Sequence, residues 1–267
     1  VVNVEEEKIK KMVREGYAKI AKTKNCCCSP KTSKKIGYTK TELQSVPKDA
    51  DFSLGCGNPV ALASLKEGET VLDLGSGAGL DCFLAANIVG EKGNVIGVDM
   101  TPEMIDKARE NCRKGNYNNV EFRLGEIENL PVADNTADII ISNCVINLSP
   151  NKRRVFEEAF RTLKLGGRLM ISDIVLLQEL PETVKKSVQA YIGCLSGAVM
   201  KGKYIKLIKD AGFQDVKIVE ETCFPIDFVV NDPTAKAIMK ESNITVKNAK
   251  NLASSVASIK VYGVKPQ

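Results

Sequence analysis

The nine residues Val71-Leu72-Asp73-Leu74-Gly75-Ser76-Gly77-Ala78-Gly79 constrain the fold of this chain more than any other stretch. An apolar strand that runs into three alternating glycines and then a helix demands a tight turn whose backbone a ligand can approach closely. Beyond it, Asp99 closes a second apolar run, where a carboxylate can accept both hydroxyls of a ribose. Short apolar runs at Thr70–Leu74, Asn94–Val98, Val120–Leu124, Asp138–Ser142 and Arg168–Asp173 read as strands. Between them Ala78–Val89, Pro102–Arg113 and Pro150–Leu163 read as helices. Thr101-Pro102 and Ser149-Pro150 each set a capping hydroxyl before a proline at the first helical position, and Gly166-Gly167 ends the third helix. This alternation predicts an α/β fold, a doubly wound and mostly parallel sheet with its crevice at the carboxyl ends of the strands.

The flanks divide the chain into three regions. Residues 1–55 hold an amphipathic helix over 4–22, with Ile9, Met12, Val13, Tyr17 and Ile20 at helical spacing, then a polar stretch expected to be a loop or mobile lid. Residues 56–176 form the central ligand-binding domain. Residues 177–267 are expected to add helices at Pro181–Leu195 and Lys201–Ala211, strands at Val216–Val219 and Ile259–Val264, and the substrate-binding region.

Composition removes several classes of function. With 43% hydrophobic and 27% charged residues, the chain has the composition of a globular domain. No apolar run approaches the roughly 18 residues of a membrane span, and the opening Val1-Val2-Asn3-Val4-Glu5 is no signal peptide, so a cytoplasmic protein free of membranes is expected. The net charge of +5 is spread among both signs with few aromatics, which argues against a nucleic-acid groove. There are nine cysteines and no histidine. Without a secretory signal the thiols are expected to be reduced, and every mechanism that relies on imidazole is excluded.

The glycine segment resembles the first motif of the class I S-adenosylmethionine-dependent methyltransferases, a family with a Rossmann-like sheet. The resemblance implies that Asp73, Gly75, Ser76, Gly77 and Gly79 cradle the cofactor, with Asp99 and Met100 at the ribose and Asn143 nearby. Gly125-Glu126-Ile127 looks like the family's third-strand motif and implies adenine contacts from Glu126 and Ile127, although the family usually places Asp-Ala after that glycine. A nicotinamide fingerprint would need glycine at position 80, which is Leu80, so a dinucleotide oxidoreductase is disfavoured.

Cys82 and Cys112 lie in helical patterns and read as small buried hydrophobes, and Cys223 is left open. The remaining thiols sit in unusual contexts. Leu54-Gly55-Cys56-Gly57-Asn58-Pro59, Ile141–Leu148 around Cys144, and Tyr191–Ala198 around Cys194 resemble, nearly residue for residue, segments of the arsenite methyltransferases. That resemblance implies that Cys144 and Cys194 bind trivalent arsenic, that Cys56 is a third ligand, and that Cys56 with one of Cys26, Cys27 and Cys28 forms a further thiol pair. The chemistry agrees. Soft trivalent arsenic favours thiolate sulfur, and its lone pair can take a methyl group without a proton being removed. The implied partners are S-adenosylmethionine, arsenite or its thiol conjugates, and an external reductant such as glutathione or thioredoxin, with the chain acting as a monomer. Three other readings stand beside this one. A C- or O-methyltransferase of a small molecule would be indifferent to Cys144. A non-catalytic thiol scaffold would have no use for the glycine loop. A zinc site would want the C-x-x-C knuckles that the chain lacks.

Overall fold

The computed structural model describes residues 4–23, 32–223, 233–241 and 252–267. Cys26, Cys27 and Cys28 lie outside the described residues. Seven strands form one sheet: β1 (Thr70–Leu74), β2 (Asn94–Asp99), β3 (Val120–Leu124), β4 (Ala137–Asn143), β5 (Leu163–Leu176), β6 (Gln214–Cys223) and β7 (Val256–Val264). Their order is β3-β2-β1-β4-β5-β7-β6. The first five are mutually parallel, and β7 enters antiparallel to both β5 and β6. The expected doubly wound α/β architecture is the one observed.

Alternation along the strands explains the layers. Leu72, Leu74, Ile96, Val98 and Ile140 pack on one face against Phe156 of α7 (Lys152–Thr162) and Tyr204 of α10 (Lys201–Asp210). Val71, Val95, Ile139 and Ile141 point the other way, toward Phe83 of α5 (Leu80–Val89) and Ile105 of α6 (Pro102–Gly115). A third apolar cluster lies beyond the strand ends. It joins Val13 of α1 (Val4–Thr23), Leu176, and Ala190 of α9 (Val188–Ile192) around Cys56, Cys144 and Cys194.

Local departures from the sequence reading have physical causes. The helix expected from Pro150 begins at Lys152. Asn151 is its cap and accepts from the Arg154 N–H, while the Ser149 hydroxyl accepts from the Asn151 N–H instead. Thr101 does precede a first-turn proline, yet its side chain makes no capping bond. The helix before Gly166 ends at Thr162, and Gly166 lies within the span of β5. The stretch expected to be helical over Pro181–Leu195 breaks into α8 (Glu182–Lys185) and α9 at Ser187, which is extended and caps α9 by accepting from the Ala190 N–H, and it stops at Ile192, two residues before the left-handed Cys194. The polar segment expected to be a loop carries two short helices, α2 (Thr32–Lys35) and α3 (Lys40–Gln44), the second closed by a Thr39–Glu42 capping box. Among the described residues no helix is long and apolar enough to cross a membrane.

The start of β5 is pinned to the loop before β1 by Arg168. Its guanidinium makes two bonds of 2.8 and 2.9 Å to Glu69 and donates to the carbonyls of Ala63 and Ser64. Arg168→Met is expected to destabilise the fold by about 3 kcal/mol in urea denaturation, since it strands a largely buried carboxylate, and Arg168→Lys should restore only part of the loss.

Candidate functional site

The strand order reverses at β1, whose neighbours are β2 and β4, and this is where a parallel sheet opens a crevice. The turn after β1 lines it. Gly75, Gly77 and Gly79 all have positive φ, which a side chain would strain. A Cβ on Gly75 would collide with Val145, whereas one on Gly77 would meet nothing within 4 Å, so Gly77 opens onto the cavity. The Ser76 hydroxyl is buried without a hydrogen-bond partner among the described residues. Asp99 accepts from the N–H groups of Gly77 (3.0 Å) and Thr101 (2.8 Å), and burial still raises its carboxyl above the ordinary range. An open glycine cradle, an orphaned hydroxyl and a buried carboxylate fit a polar, nucleoside-bearing cofactor.

Of the residues expected to hold the cofactor, Gly75, Ser76, Gly77, Asp99, Met100, Ile127 and Asn143 line this cavity. Asp73, Gly79 and Glu126 do not. Asp73 accepts from the Cys82 thiol at 3.2 Å and is held well above the usual carboxylate range by burial and by Asp81. Glu126 is paired with Lys10 (2.6 Å) and Arg14 (3.5 Å) of α1. Gly79 is closed off by Phe83 and Phe122.

Several cavity groups escaped the sequence reading. Asp81, in the first turn of α5, accepts from the Tyr38 hydroxyl at 2.6 Å and the Asn143 amide at 3.2 Å, and burial pushes it up to about 6. A carboxylate inside the otherwise apolar run Leu80–Val89 was the available signal. Tyr38, Tyr17 and Glu128 also line the cavity, and nothing in their sequence neighbourhoods distinguishes them.

Asn143 joins this polar wall to the thiols. Its amide donates to Tyr38 and to the Gly57 carbonyl (2.8 Å each), while its oxygen accepts from the Cys56 N–H at 3.0 Å. The flanking glycines make that approach possible. A Cβ on Gly55 would lie 2.5 Å from the Asn143 amide, and one on Gly57 would lie 2.1 Å from the Ser172 hydroxyl. The Cys56 loop is thereby pressed onto the ends of β4 and β5.

Cys56, Cys144 and Cys194 are all buried. The sulfurs of Cys56 and Cys144 and a carboxylate oxygen of Asp173 lie within 4.8 Å of one another. Cys194 donates its thiol to the Cys144 carbonyl at 2.8 Å. Hydrogen bonds with the Cys194 and Cys56 thiols, together with burial, hold the Cys144 thiol well above its ordinary range. Both Cys144 and Cys194 sit at positive φ, +59° and +62°. The Cys194 N–H bonds to the Tyr191 carbonyl and the Leu195 N–H to the Ala190 carbonyl, a helix terminus at which glycine is the usual residue. Asp173 accepts from Asn147, Ile174 and Tyr204, and burial raises it to about 6. Cys144 thus touches both other thiols, while the compact donor group within 4.8 Å is formed by Cys56, Cys144 and Asp173, with Cys194 outside it. Cys82 and Cys112 are packed in the α5–α6 layer, and Cys223 is exposed at the end of β6.

Comparison with known proteins gives a consistent picture. Residues 65–212 match a family model described as a methyltransferase domain. The chain is 48% identical over 236 residues to the arsenite methyltransferase of Halobacterium salinarum, covering 82% of this chain and 60% of that protein. It is 34% identical to the human arsenite methyltransferase, covering 79% of this chain and 60% of the relative. The chain therefore spans about 60% of the length of these curated relatives. The crystal structure of an arsenic(III) S-adenosylmethionine methyltransferase from Chlamydomonas reinhardtii superposes with a TM-score of 0.63 at 31% identity, over 90% of this chain and 75% of that one.

Two stability effects are expected from this geometry. Cys194→Gly should be about 1 kcal/mol more stable to urea than Cys194→Ala, because only glycine adopts that backbone without strain. Asp173 binds its proton more tightly folded than unfolded, so the stability it contributes is full at low pH and is lost as pH rises through about 6. Between about pH 4 and pH 7.5 the wild type should therefore lose about 2 kcal/mol relative to Asp173→Asn in chemical denaturation.

Proposed function

We propose that this chain, which belongs to the arsenite methyltransferase family, methylates trivalent arsenic held by Cys56, Cys144 and Cys194. The observation that carries the proposal is Cys144, in the wall of a cavity lined by Gly75, Ser76, Gly77 and Asp99, with the buried thiols of Cys56 and Cys194 each against it.

In this reading Asp99 accepts from the ribose hydroxyls, and the Ser76 hydroxyl and the Gly77 backbone face the amino-acid part of the cofactor. Bound there, S-adenosylmethionine supplies a sulfonium methyl group, an electrophile already activated for transfer to an electron pair. Cys144 and Cys194 hold arsenic through sulfur, and Cys56 completes a three-sulfur ligand set. Each thiol displaces one hydroxide from arsenite and its proton leaves with that hydroxide as water, so binding needs no imidazole. The buried apolar surroundings formed by Val13, Leu148 and Ile174 keep bulk water from the transfer path. Methyl transfer raises arsenic formally to the pentavalent state. Cys56 with one of Cys26, Cys27 and Cys28 then returns two electrons and becomes a disulfide, which glutathione or thioredoxin reduces.

Incubation with arsenite, S-adenosylmethionine and a thiol should yield methylarsenicals by chromatography coupled to mass spectrometry. Cys144→Ser and Cys194→Ser are each expected to cut the yield by on the order of 100-fold, about 3 kcal/mol of transition-state stabilisation, with cofactor affinity retained. Normal turnover in both variants would overturn the arsenic clamp. Turnover of an organic acceptor without arsenite, indifferent to Cys144→Ser, would favour a small-molecule C- or O-methyltransferase.

A further inference from the structure

Cys56, Cys144 and Cys194 are 8%, 5% and 3% exposed, and of the three only Cys144 lines the cavity. A soft ion can reach all three only if some covering element moves. The covering element is α1. Lys10, Val13 and Tyr17 from this helix line the cavity opposite the glycine turn, and Val13 packs in the same apolar cluster as the thiols.

Two features make α1 easy to lift. Over its 20 residues only Val13 and Ala21 are buried. At its carboxyl end the link is the exposed Lys22–Glu103 pair, which adds little to stability, and the firmer pairs of Glu126 with Lys10 and Arg14 are confined to its middle. Along its middle, α1 rests on the turn that carries Cys194. Gly16 packs so closely on α9 that a Cβ there would lie 2.8 Å from Ile192 Cδ1. The Tyr17 hydroxyl donates to the Ile192 carbonyl at 3.3 Å and meets the Cys194 thiol. One side chain thus touches the cofactor cavity and the arsenic-binding turn at once.

We propose that Tyr17 is a positioning residue that couples the two sites: a filled cofactor cavity holds α1 down, and Tyr17 then fixes the Cys194 turn against Cys144. The proposal rests on the arsenic-binding reading above. Coupling of this kind is reciprocal, so each ligand must tighten the other by the same factor. A hydroxyl that merely stabilised the fold would weaken both ligands without changing that factor.

The test is arsenite titration of the reduced full chain, followed by thiolate–arsenic absorption, with and without saturating S-adenosylhomocysteine. The wild type is expected to bind arsenite about tenfold more tightly with S-adenosylhomocysteine present, and Tyr17→Phe should reduce that ratio to about one. A ratio of one in the wild type, or a wild-type ratio retained by Tyr17→Phe, overturns the coupling and leaves arsenic binding intact. Failure of the wild type to bind arsenite under either condition, with Cys144→Ser indistinguishable from it, overturns the functional reading itself and the coupling with it.

Discussion

The parallel register of β1, β4 and β5 is the constraint from which the site follows. Leu74 pairs with Ser142, and Asn143 pairs with Ser172, so Gly75, just past β1, comes up beside Asn143, and Cys144, just past β4, comes up beside Asp173 of β5. A one-residue slip in any strand would turn its side chains to the opposite face and scatter them. The isoleucine run of β4 is apolar on both faces, so its flank fixes the register: Asp138 accepts from the Thr70 N–H and pairs with Lys164, contacts that a slip would break. That register specifies the spacing of the site.

Against this rigid edge the thiol-bearing backbone is locally strained. Non-glycine residues at positive φ cost of order 1 kcal/mol or more each; Ser53 and Cys144 adopt it in the cavity wall, and Cys194 adopts it where its thiol meets the Cys144 carbonyl. Buried carboxylates add to the burden. Asp73, Asp81, Asp99 and Asp173 are all shifted upward by loss of solvent, and their hydrogen-bond partners offset only part of that cost. The apolar layers on either side of the sheet carry this load. Strain and buried charge concentrate at the strand ends, where arsenic and cofactor are proposed to meet.

Much of this was legible in the chain. The strand–helix alternation and the glycine run were enough to place the central sheet, because buried parallel strands have a simple apolar signature. The segments around Cys56, Cys144 and Cys194 stood out through their neighbours, Gly55 and Gly57 above all, whose missing side chains prove to be a packing requirement. What the sequence did not disclose depends on tertiary contact. Asp173 reads as a polar interruption of β5 until Cys56 and Cys144 arrive beside it from distant segments. Glu126 looked like a cavity residue by position, and its pairing with Lys10 and Arg14 depends on where α1 lands. The break between α8 and α9 turns on Ser187, a capping hydroxyl inside an otherwise helical pattern.

The walls around Cys56 have a consequence for guest size. The loop meets β4 and β5 through the Asn143 amide, the Ser172 hydroxyl and bare glycine backbone. The Lys260 stem reaches the same place, its Cε 3.1 Å from where a Cβ on Gly57 would lie. A guest beside Cys56 would therefore be bounded by backbone and short polar groups on one side and a single flexible cation on the other, so that shortening Lys260 would widen the room while any side chain at position 55 or 57 would close it.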